Sequence, residues 1–224
     1  EVLQRLNHPV RGQILPEEFI PLAQEAGTIA YMSDWVIRSA CGQLKEWLEY
    51  GVAPVRLGIN LAAEQIQQHD FVAKFSELLD ELKIDPALLE IEITEGTMVR
   101  DLSSTQEKLS ALSALGIKIA IDDFGMGYSS LSYLRTLPIH AIKIDRSFIA
   151  DIKPDSDNTL VNAMMLIGKG LGLRLIAEGV ETQEQLAFLK ANGCDECQGY
   201  FISKPLNGEE VTRLLASGRR LLAE

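Results

Sequence analysis

The chain has 224 residues, of which 46% are hydrophobic and 24% charged, and its formal net charge at pH 7 is −11. This length and apolar content suffice for one large domain or two small ones with a substantial core, and they exclude a disordered chain. The negative charge argues against a nucleic-acid groove, which relies on Lys and Arg, but a phosphate-bearing substrate remains compatible if metal ions supply positive charge locally.

The sequence predicts neither a membrane segment nor a secretory signal. No apolar run reaches the roughly 18 residues that a membrane helix needs, and the first residues lack a basic, apolar and small-residue pattern. We therefore expect a soluble cytoplasmic domain.

Three cysteines are too few for a disulfide framework. Cys194 and Cys197 form a C-x-x-C motif, which is compatible with redox or zinc chemistry. No second ligand pair with zinc spacing accompanies it, so we favour a structural role near a helix-to-strand turn.

Predicted strands and helices alternate along the chain. Proline and acidic residues predict a helix that begins near Pro16. The other predicted helices are 33–50, 71–82, 103–115, 130–134, 158–171, 182–191 and 208–222, and the predicted strands are 55–61, 88–94, 117–123, 141–145, 174–178 and 196–202. No hairpin signal interrupts the alternation, so the sheet is predicted to be mainly parallel.

Polar residues recur at the carboxyl ends of these strands. They are Asn60, Glu92 with Thr94 and Glu95, Asp122 with Asp123, Lys143 with Asp145, Glu178 with Glu181, and Gln198. This arrangement is typical of a barrel of eight β/α units, and the glycine-rich loop of a doubly wound sheet is missing. We predict an α/β, TIM-like (β/α)8 barrel that forms one domain over residues 1–224.

The stretch 118–128 is the centre of this pattern. A short β-branched strand runs into Asp122 and Asp123, and Gly125 and Gly127 follow. Strand residues alternate sides, so the two carboxylates cannot point the same way unless the strand ends there. Adjacent buried anions repel each other, and a divalent cation would offset that repulsion. The alternative is a simple Asx-type turn.

If the strand ends converge, the pocket holds one amide, at least five carboxylates and a single lysine. Oxygen ligands without histidine or thiol suit Mg²⁺ or Mn²⁺. Two such ions about 3.5–4 Å apart would clamp the attacking and leaving oxygens of a phosphodiester. Lys143 would orient the water or offset charge on phosphorus. The residues alone therefore favour metal-assisted phosphodiester hydrolysis.

Individual residues also have structural alternatives. Glu90 and Glu92 share a strand face, so one of them could be a solvated edge charge. Lys143 and Asp145 could form an internal ion pair. The recurrence of such residues at six strand ends favours a shared site.

Short motifs follow one another along the whole chain. They are Glu1-Val2-Leu3 with Arg5, the R-G-x-x-x-P-x-x-F-I-P run at 11–21, Asn60-Leu61, Glu92-Ile93-Thr94-Glu95, Asp122-Asp123-Phe124-Gly125, Gly127-Tyr128-Ser129-Ser130-Leu131, Lys143-Ile144-Asp145, Glu178-Gly179-Val180-Glu181 and Gln198-Gly199-Tyr200. In this order they resemble the EAL-domain cyclic di-GMP phosphodiesterases of bacteria.

The resemblance implies opening of cyclic di-GMP to linear pGpG at a two-metal site. It implies that two Mg²⁺ or Mn²⁺ ions are coordinated by Glu1, Asn60, Glu92, Asp122 and Asp123. Such domains commonly form homodimers, and they are fused to or regulated by sensory or GGDEF-type domains. The parent protein could be membrane-anchored through those domains, while no nucleic-acid polymer is implied as a partner.

The same resemblance implies catalytic roles for Lys143 beside the nucleophilic water, for Glu178 in the metal–water network, and for Glu95 as an anchor of the loop after Asp123. The substrate-binding residues that it implies are Arg5, Asp145, Glu181 and Gln198, with Arg5 on a substrate phosphate.

Three features depart from the family pattern. Glu1-Val2-Leu3 replaces the name-giving Glu-Ala-Leu, which keeps the carboxylate. Met126 stands between the two glycines, where a small or hydroxyl residue is usual, and its bulk could alter loop mobility or metal occupancy. The family's first strand and part of its second are absent, so we expect upstream residues in the native protein.

Two other functions compete with the enzyme interpretation. A catalytically inactive cyclic di-GMP receptor would typically lose metal ligands, and every candidate ligand is present here. A barrel enzyme that acts on sugar phosphates would need a phosphate-binding glycine loop after a late strand. The glycine-rich segment 168–172 lies instead at a predicted helix end.

Overall fold

The computed structural model of this chain describes residues 1–52, 55–127, 131–153 and 158–218, and the side chains of 98–100 and 131–133 lie outside the description. The chain opens with a short antiparallel hairpin of strands β1 (Leu6–His8) and β2 (Gly12–Ile14). This hairpin was not predicted from the sequence, and it lies outside the alternating strands and helices. The His8 ring accepts hydrogen bonds from the N–H groups of Val10 and Arg11, at 3.1 Å each, so a side chain closes the turn.

The main sheet consists of six parallel strands in chain order. They are β3 (Leu57–Asn60), β4 (Leu89–Thr94), β5 (Lys118–Phe124), β6 (Ala141–Ile144), β7 (Arg174–Ala177) and β8 (Glu196–Cys197). Val2 N–H donates to Gly58 O at one edge, and Gln198 beyond the other edge donates to Glu1 Oε2, both at 2.8 Å. The two edges of the sheet thus approach each other, and the predicted α/β, TIM-like barrel class is confirmed.

Helices follow most strands, as predicted. They are α1 (Pro16–Glu25), α2 (Ile29–Glu49), α3 (Ala63–Ile66), α4 (Phe71–Leu82), α5 (Glu95–Arg100), α6 (Leu102–Ala114), α7 (Leu131–Thr136), α8 (Arg146–Ala150), α9 (Thr159–Gly170), α10 (Gln183–Ala191) and α11 (Gly208–Ala216). Helices α3, α5 and α8 were not predicted, because six residues or fewer show no clear helical period. The predicted end of the last helix, at 222, lies outside the described residues. None of the described helices combines the length and apolar character needed to cross a bilayer.

The two faces of the main sheet differ in chemistry. Ile59, Ile91, Ile119 and Ile142 are fully buried and form part of the core between sheet and helices. Strand alternation sends their neighbours into the barrel interior. There most residues are small or charged, namely Gly58, Glu90, Glu92, Ala120, Ala141 and Lys143, and Ile176 packs with the two alanines in a small apolar cluster. The main apolar core therefore lies outside the sheet, and much of the interior is left for polar groups.

Glu90 is buried in this interior and is only 4% exposed, so it is not a solvated edge charge. Arg174 in β7 forms ion pairs with Glu90 in β4 and with Glu196 in β8. Strands β4 and β7 are not neighbours in the sheet. The Arg174–Glu90 pair therefore crosses the barrel and links its opposite walls.

Candidate active site

Lys143 lies at the centre of an acidic cluster in the barrel. Its Nζ atom is 2.6 Å from Glu92 and 2.7 Å from Glu178, and it is 3.3 Å from both Glu1 and Asp122. The side chain is almost inaccessible, at 1% exposure. Burial alone would lower the pKa of Lys143, but the surrounding carboxylates outweigh that effect and raise it. Lys143 is therefore a permanent cation.

The carboxyl groups of the cluster hold more negative charge than one ammonium ion compensates. Burial raises the pKa of Glu92 to about 8 and that of Glu178 to about 7, even though Lys143 opposes both shifts. Burial and the neighbouring charge of Asp122 also raise the pKa of Asp123. Without a further cation, Glu92 and Glu178 therefore bind protons near neutral pH.

An irregularity in β5 brings Asp122 and Asp123 to the same site. The pairing register with β6 shifts between Ile121 and Phe124, and Asp123 adopts a left-handed conformation with φ of +53°. This bulge interrupts the strict alternation of side chains. Carboxylate oxygens of Asp122, Asp123 and Glu178 consequently lie within 4.8 Å of one another. The expectation that the strand must end at this point was wrong, because the bulge achieves the same result.

Two overlapping groups of carboxylates could hold cations. Glu1, Glu92 and Asp122 form one group and Asp122, Asp123 and Glu178 the other, each with oxygens within 4.8 Å of one another. An all-oxygen donor set suits Mg²⁺ or Mn²⁺, so the residues fit the implied cofactor. Asn60 lies beside the first group, where its amide donates to Glu1 Oε1 at 2.8 Å.

Gln198 and Glu95 contact the cluster and its adjoining loop. The amide of Gln198 donates to Glu1 at 2.8 Å and to Glu178 at 2.7 Å. Glu95 is buried, and its Oε1 atom accepts a hydrogen bond of 2.9 Å from the N–H of Gly125. A Cβ atom added at Gly127 would lie 2.4 Å from Glu95 Oε2, so this glycine permits close approach. Glu95 thus lies against the segment that follows Asp123.

No described hydrogen bond or ion pair joins Arg5, Asp145 or Glu181 to the acidic cluster, although burial, Asp122 and then Asp145 raise the pKa of Asp123. The Arg5 guanidinium donates to Gln4 O at 2.7 Å. Asp145 accepts from the N–H of Ser147 at 2.9 Å and caps α8, so the suggested ion pair with Lys143 does not form. The Glu181 side chain is exposed.

Met126 lies on the same side of the molecule as Asp145. It is 63% exposed, and its sulfur lies 3.5 Å from the Ser147 hydroxyl, which donates its proton to Asp145. Met126 therefore connects the loop after β5 to the start of α8.

Gly58 was missed in the sequence analysis. A Cβ atom at this position would lie 2.2 Å from Glu92 Oε1, so only glycine leaves room for the carboxylate. The sequence did contain a signal, because a glycine inside a strand often marks a site where another group lies close to the backbone. Gly58 precedes Asn60 by two residues and therefore shares its strand face.

A cleft of about 580 Å³ opens above the acidic cluster. Asn60, Glu92, Asp122 and Asp123 line its polar part, and apolar side chains from Leu3, Ile20, Ile29 and Leu61 line the remainder. A volume of this order and a mixed lining are typical of small-molecule sites.

The family model described as "EAL domain" matches residues 1–205. The chain belongs to the EAL domain family. The resemblance inferred from the motifs is therefore confirmed.

Known relatives agree with that assignment. The EAL domain is 41% identical over 217 residues to the bifunctional diguanylate cyclase/cyclic di-GMP phosphodiesterase MucR of Pseudomonas aeruginosa. The aligned region covers 96% of this chain and 32% of MucR. It is also 40% identical over 207 residues to the cyclic di-GMP phosphodiesterase NbdA of the same species, and that aligned region covers 92% of this chain and 26% of NbdA. The chain thus spans about a third or less of the length of these relatives.

A solved structure shows the same fold. The structure described as a MucR phosphodiesterase complex with c-di-GMP superposes with a TM-score of 0.88 at 40% identity, over 93% of this chain and 85% of that one.

Proposed function

We propose that this EAL domain hydrolyses cyclic di-GMP to linear pGpG in a reaction that requires Mg²⁺ or Mn²⁺. The observation that carries the proposal is the convergence of acidic side chains on Lys143, because two of these acids, Glu92 and Asp122, also line the 580 Å³ cleft. The names of MucR and NbdA support the choice of substrate.

The residues proposed to hold two cations are Glu1, Asn60, Glu92, Asp122 and Asp123. When bound, the cations would polarise the scissile phosphate and lower the pKa of the attacking water. Each candidate ligand lies in one of the two carboxylate groups or, for Asn60, in hydrogen-bond contact with Glu1.

Lys143 acts as a fixed positive charge in this proposal. Since its pKa is raised, it keeps its proton and cannot serve as a general base. It would instead offset the negative charge that develops on the phosphoryl oxygens. Glu178, which contacts both Lys143 and Gln198, would orient the attacking water. Glu95 would hold the loop after Asp123 through Gly125.

Substrate binding is assigned to Arg5, Asp145, Glu181 and Gln198 as part of the proposal. Gln4 lines the cleft, so Arg5 needs only to leave its bond to Gln4 O to approach a phosphate there. Gln198 already contacts two carboxylates of the cluster.

The wider context is also proposed rather than observed. Because the chain spans only 32% of the multifunctional relative MucR, we propose that sensory or GGDEF-type domains regulate it in a longer protein. A homodimer and a cytoplasmic location belong to the same proposal.

The test is a turnover assay with Mg²⁺ or Mn²⁺ and chromatography for pGpG. We expect product from the wild type, and at least roughly a hundredfold less from Glu92→Gln, which keeps the shape but removes a charge. Glu77→Gln, on the exposed face of α4, is the matched control and should retain activity. Intact cyclic di-GMP with every protein would indicate a receptor, and equal product from the wild type and Glu92→Gln would refute the metal assignment.

A further inference from the structure

The C-x-x-C motif immediately precedes Gln198, the residue whose amide contacts Glu1 and Glu178 of the acidic cluster. Cys194 lies in the turn between α10 and β8, Cys197 is the last residue of β8, and the two thiols are close enough for each to shift the pKa of the other. The Cys194 sulfur is also 3.2 Å from Glu196 O, the carbonyl that immediately precedes Cys197. Both side chains are half-buried, whereas Cys41 is completely buried in the core.

The two thiols differ in character. The hydrogen bond between them raises the pKa of Cys194 and lowers the pKa of Cys197, so Cys197 gains thiolate character and Cys194 keeps its proton. Thiolates are the reactive form of cysteine. Burial raises the pKa of Cys41 to about 11, so this third thiol is expected to be inert.

Cys197 is connected rigidly to a residue of the candidate site. It is the last residue of β8, and Gln198 follows with its amide on Glu1 and Glu178. The Gln198 backbone is held on both sides, since its N–H donates to Ala177 O at 2.8 Å and its carbonyl accepts from Val180 N–H at 3.0 Å. A displacement of Cys197 must therefore shift Gln198 or strain these bonds.

We propose that Cys194 and Cys197 form a reversible intramolecular disulfide that shifts Gln198 and weakens the acidic site. The oxidant is a peroxide. The Cys197 thiolate attacks one peroxide oxygen, which gives a sulfenic acid and releases hydroxide. Cys194 then attacks the Cys197 sulfur, the S–S bond forms, and the sulfenic hydroxyl leaves with the Cys194 proton as water. Two electrons pass from the thiols to the peroxide.

The structural consequence follows from bond length. A disulfide joins its sulfurs at about 2.05 Å, well inside any non-bonded contact distance. Closing the four-residue loop must therefore draw the end of β8 and the preceding turn together. The disulfide itself does not depend on the proposed function, whereas its effect on turnover does.

The first experiment treats the full chain with hydrogen peroxide, alkylates the free thiols after unfolding, and maps peptides by mass spectrometry. We expect a linked Cys194–Cys197 pair that a dithiol reductant opens, while Cys41 remains alkylated. Cys41→Ala should still form the pair, and neither Cys194→Ser nor Cys197→Ser should. Free thiols at both positions, or oxidation of Cys41 at the same rate, would overturn the proposal.

The second experiment measures the consequence at the site. Peroxide should reduce turnover of the wild type by roughly tenfold, because residues that hydrogen-bond to metal ligands typically have effects of this size. It should leave the turnover of Cys197→Ser unchanged. The rise in Tm on adding Mn²⁺ should also be smaller for the oxidised protein, and this readout is available even if no turnover is found. A mapped disulfide without change in either quantity would refute the coupling to Gln198.

Discussion

A single lysine compensates several buried acids in this domain, and the chemistry of the site depends on that imbalance. Lys143 contacts four carboxylates, two of them at 2.7 Å or less. Removing one partner of a buried ion pair is strongly destabilising, because the other charge is left uncompensated.

Replacing the lysine should therefore damage both stability and activity. Lys143→Met keeps the length of the side chain but removes the charge. We expect unfolding free energy to fall by about 3–5 kcal/mol without metal. Added Mn²⁺ should recover part of that loss, since the cation compensates the same carboxylates. Urea unfolding with and without Mn²⁺ measures the difference, and an identical loss in both conditions would contradict it.

Gly58 offers a second test at the residue scale. In Gly58→Ala the new Cβ would lie 2.2 Å from Glu92 Oε1 and must displace that carboxylate. We expect turnover and Mn²⁺ affinity to fall by roughly 10–100-fold, as for other residues that position ligands. Gly42→Ala in α2 is the control, because nothing lies within 4 Å of its added Cβ and a helical alanine is favourable. Equal effects of the two substitutions would exclude a positioning role for Gly58.

At the scale of elements, β5 contains a bulge that brings two consecutive carboxylates, Asp122 and Asp123, to the same site. Its first residues pair regularly with β4 and β6, and the register shifts only where the acidic pair occurs. A left-handed conformation at a residue with a Cβ atom costs roughly 1–2 kcal/mol. The barrel thus carries local strain at Asp123.

Substitution of Asp123 should show that the backbone strain affects stability, whereas the carboxylate affects turnover. Asp123→Gly removes the conformational penalty and also a carboxyl whose pKa is raised by burial and by Asp122. We expect the Tm of the metal-free protein to stay constant or rise, while turnover falls. Calorimetry and the pGpG assay give the two quantities. A lower Tm for Asp123→Gly would show that the Asp123 carboxylate stabilises the fold.

At the scale of the whole molecule, protons and metal ions compete for the same buried carboxylates in the barrel interior. Burial raises the pKa of Glu92 to about 8 and of Glu178 to about 7, from an ordinary value of 4.5. The folded state therefore binds these protons more tightly than the unfolded state does. The stability contributed by both groups is complete below the unfolded pKa and is lost as the pH rises through the folded values.

Metal binding should show the opposite dependence on pH. The metal-free domain is expected to lose stability between about pH 4.5 and about pH 8 through these two groups, while cations bind only deprotonated carboxylates. The rise in Tm on adding Mn²⁺ should consequently be several degrees larger at high pH than at low pH. Thermal unfolding across this range checks the trend, and Glu92→Gln should flatten it. An increment that does not change with pH would contradict the raised pKa values.

Much of the barrel could be read from local patterns. Alternating runs of β-branched residues mark the strands, and the polar residues that follow them predicted where the site would lie. Short elements were not predicted, because α3, α5 and α8 have six residues or fewer and each strand of the β1–β2 hairpin has only three. Strand β8 ends at Cys197 and not near 202, because the chain turns there and the N–H groups of Ile202 and Ser203 donate back to Gly199 O.

The sequence by itself determined the order of strands and helices, the polar residues at the strand ends and the family to which the chain belongs, because these depend on local periodicity and motif spacing. Only the tertiary structure decided which charges meet. Glu90 pairs with Arg174 across the barrel, and Lys143 contacts four carboxylates from separate parts of the chain. The physical reason is that electrostatic energy depends on distance and burial, and residues far apart in the chain acquire both only when the sheet curves.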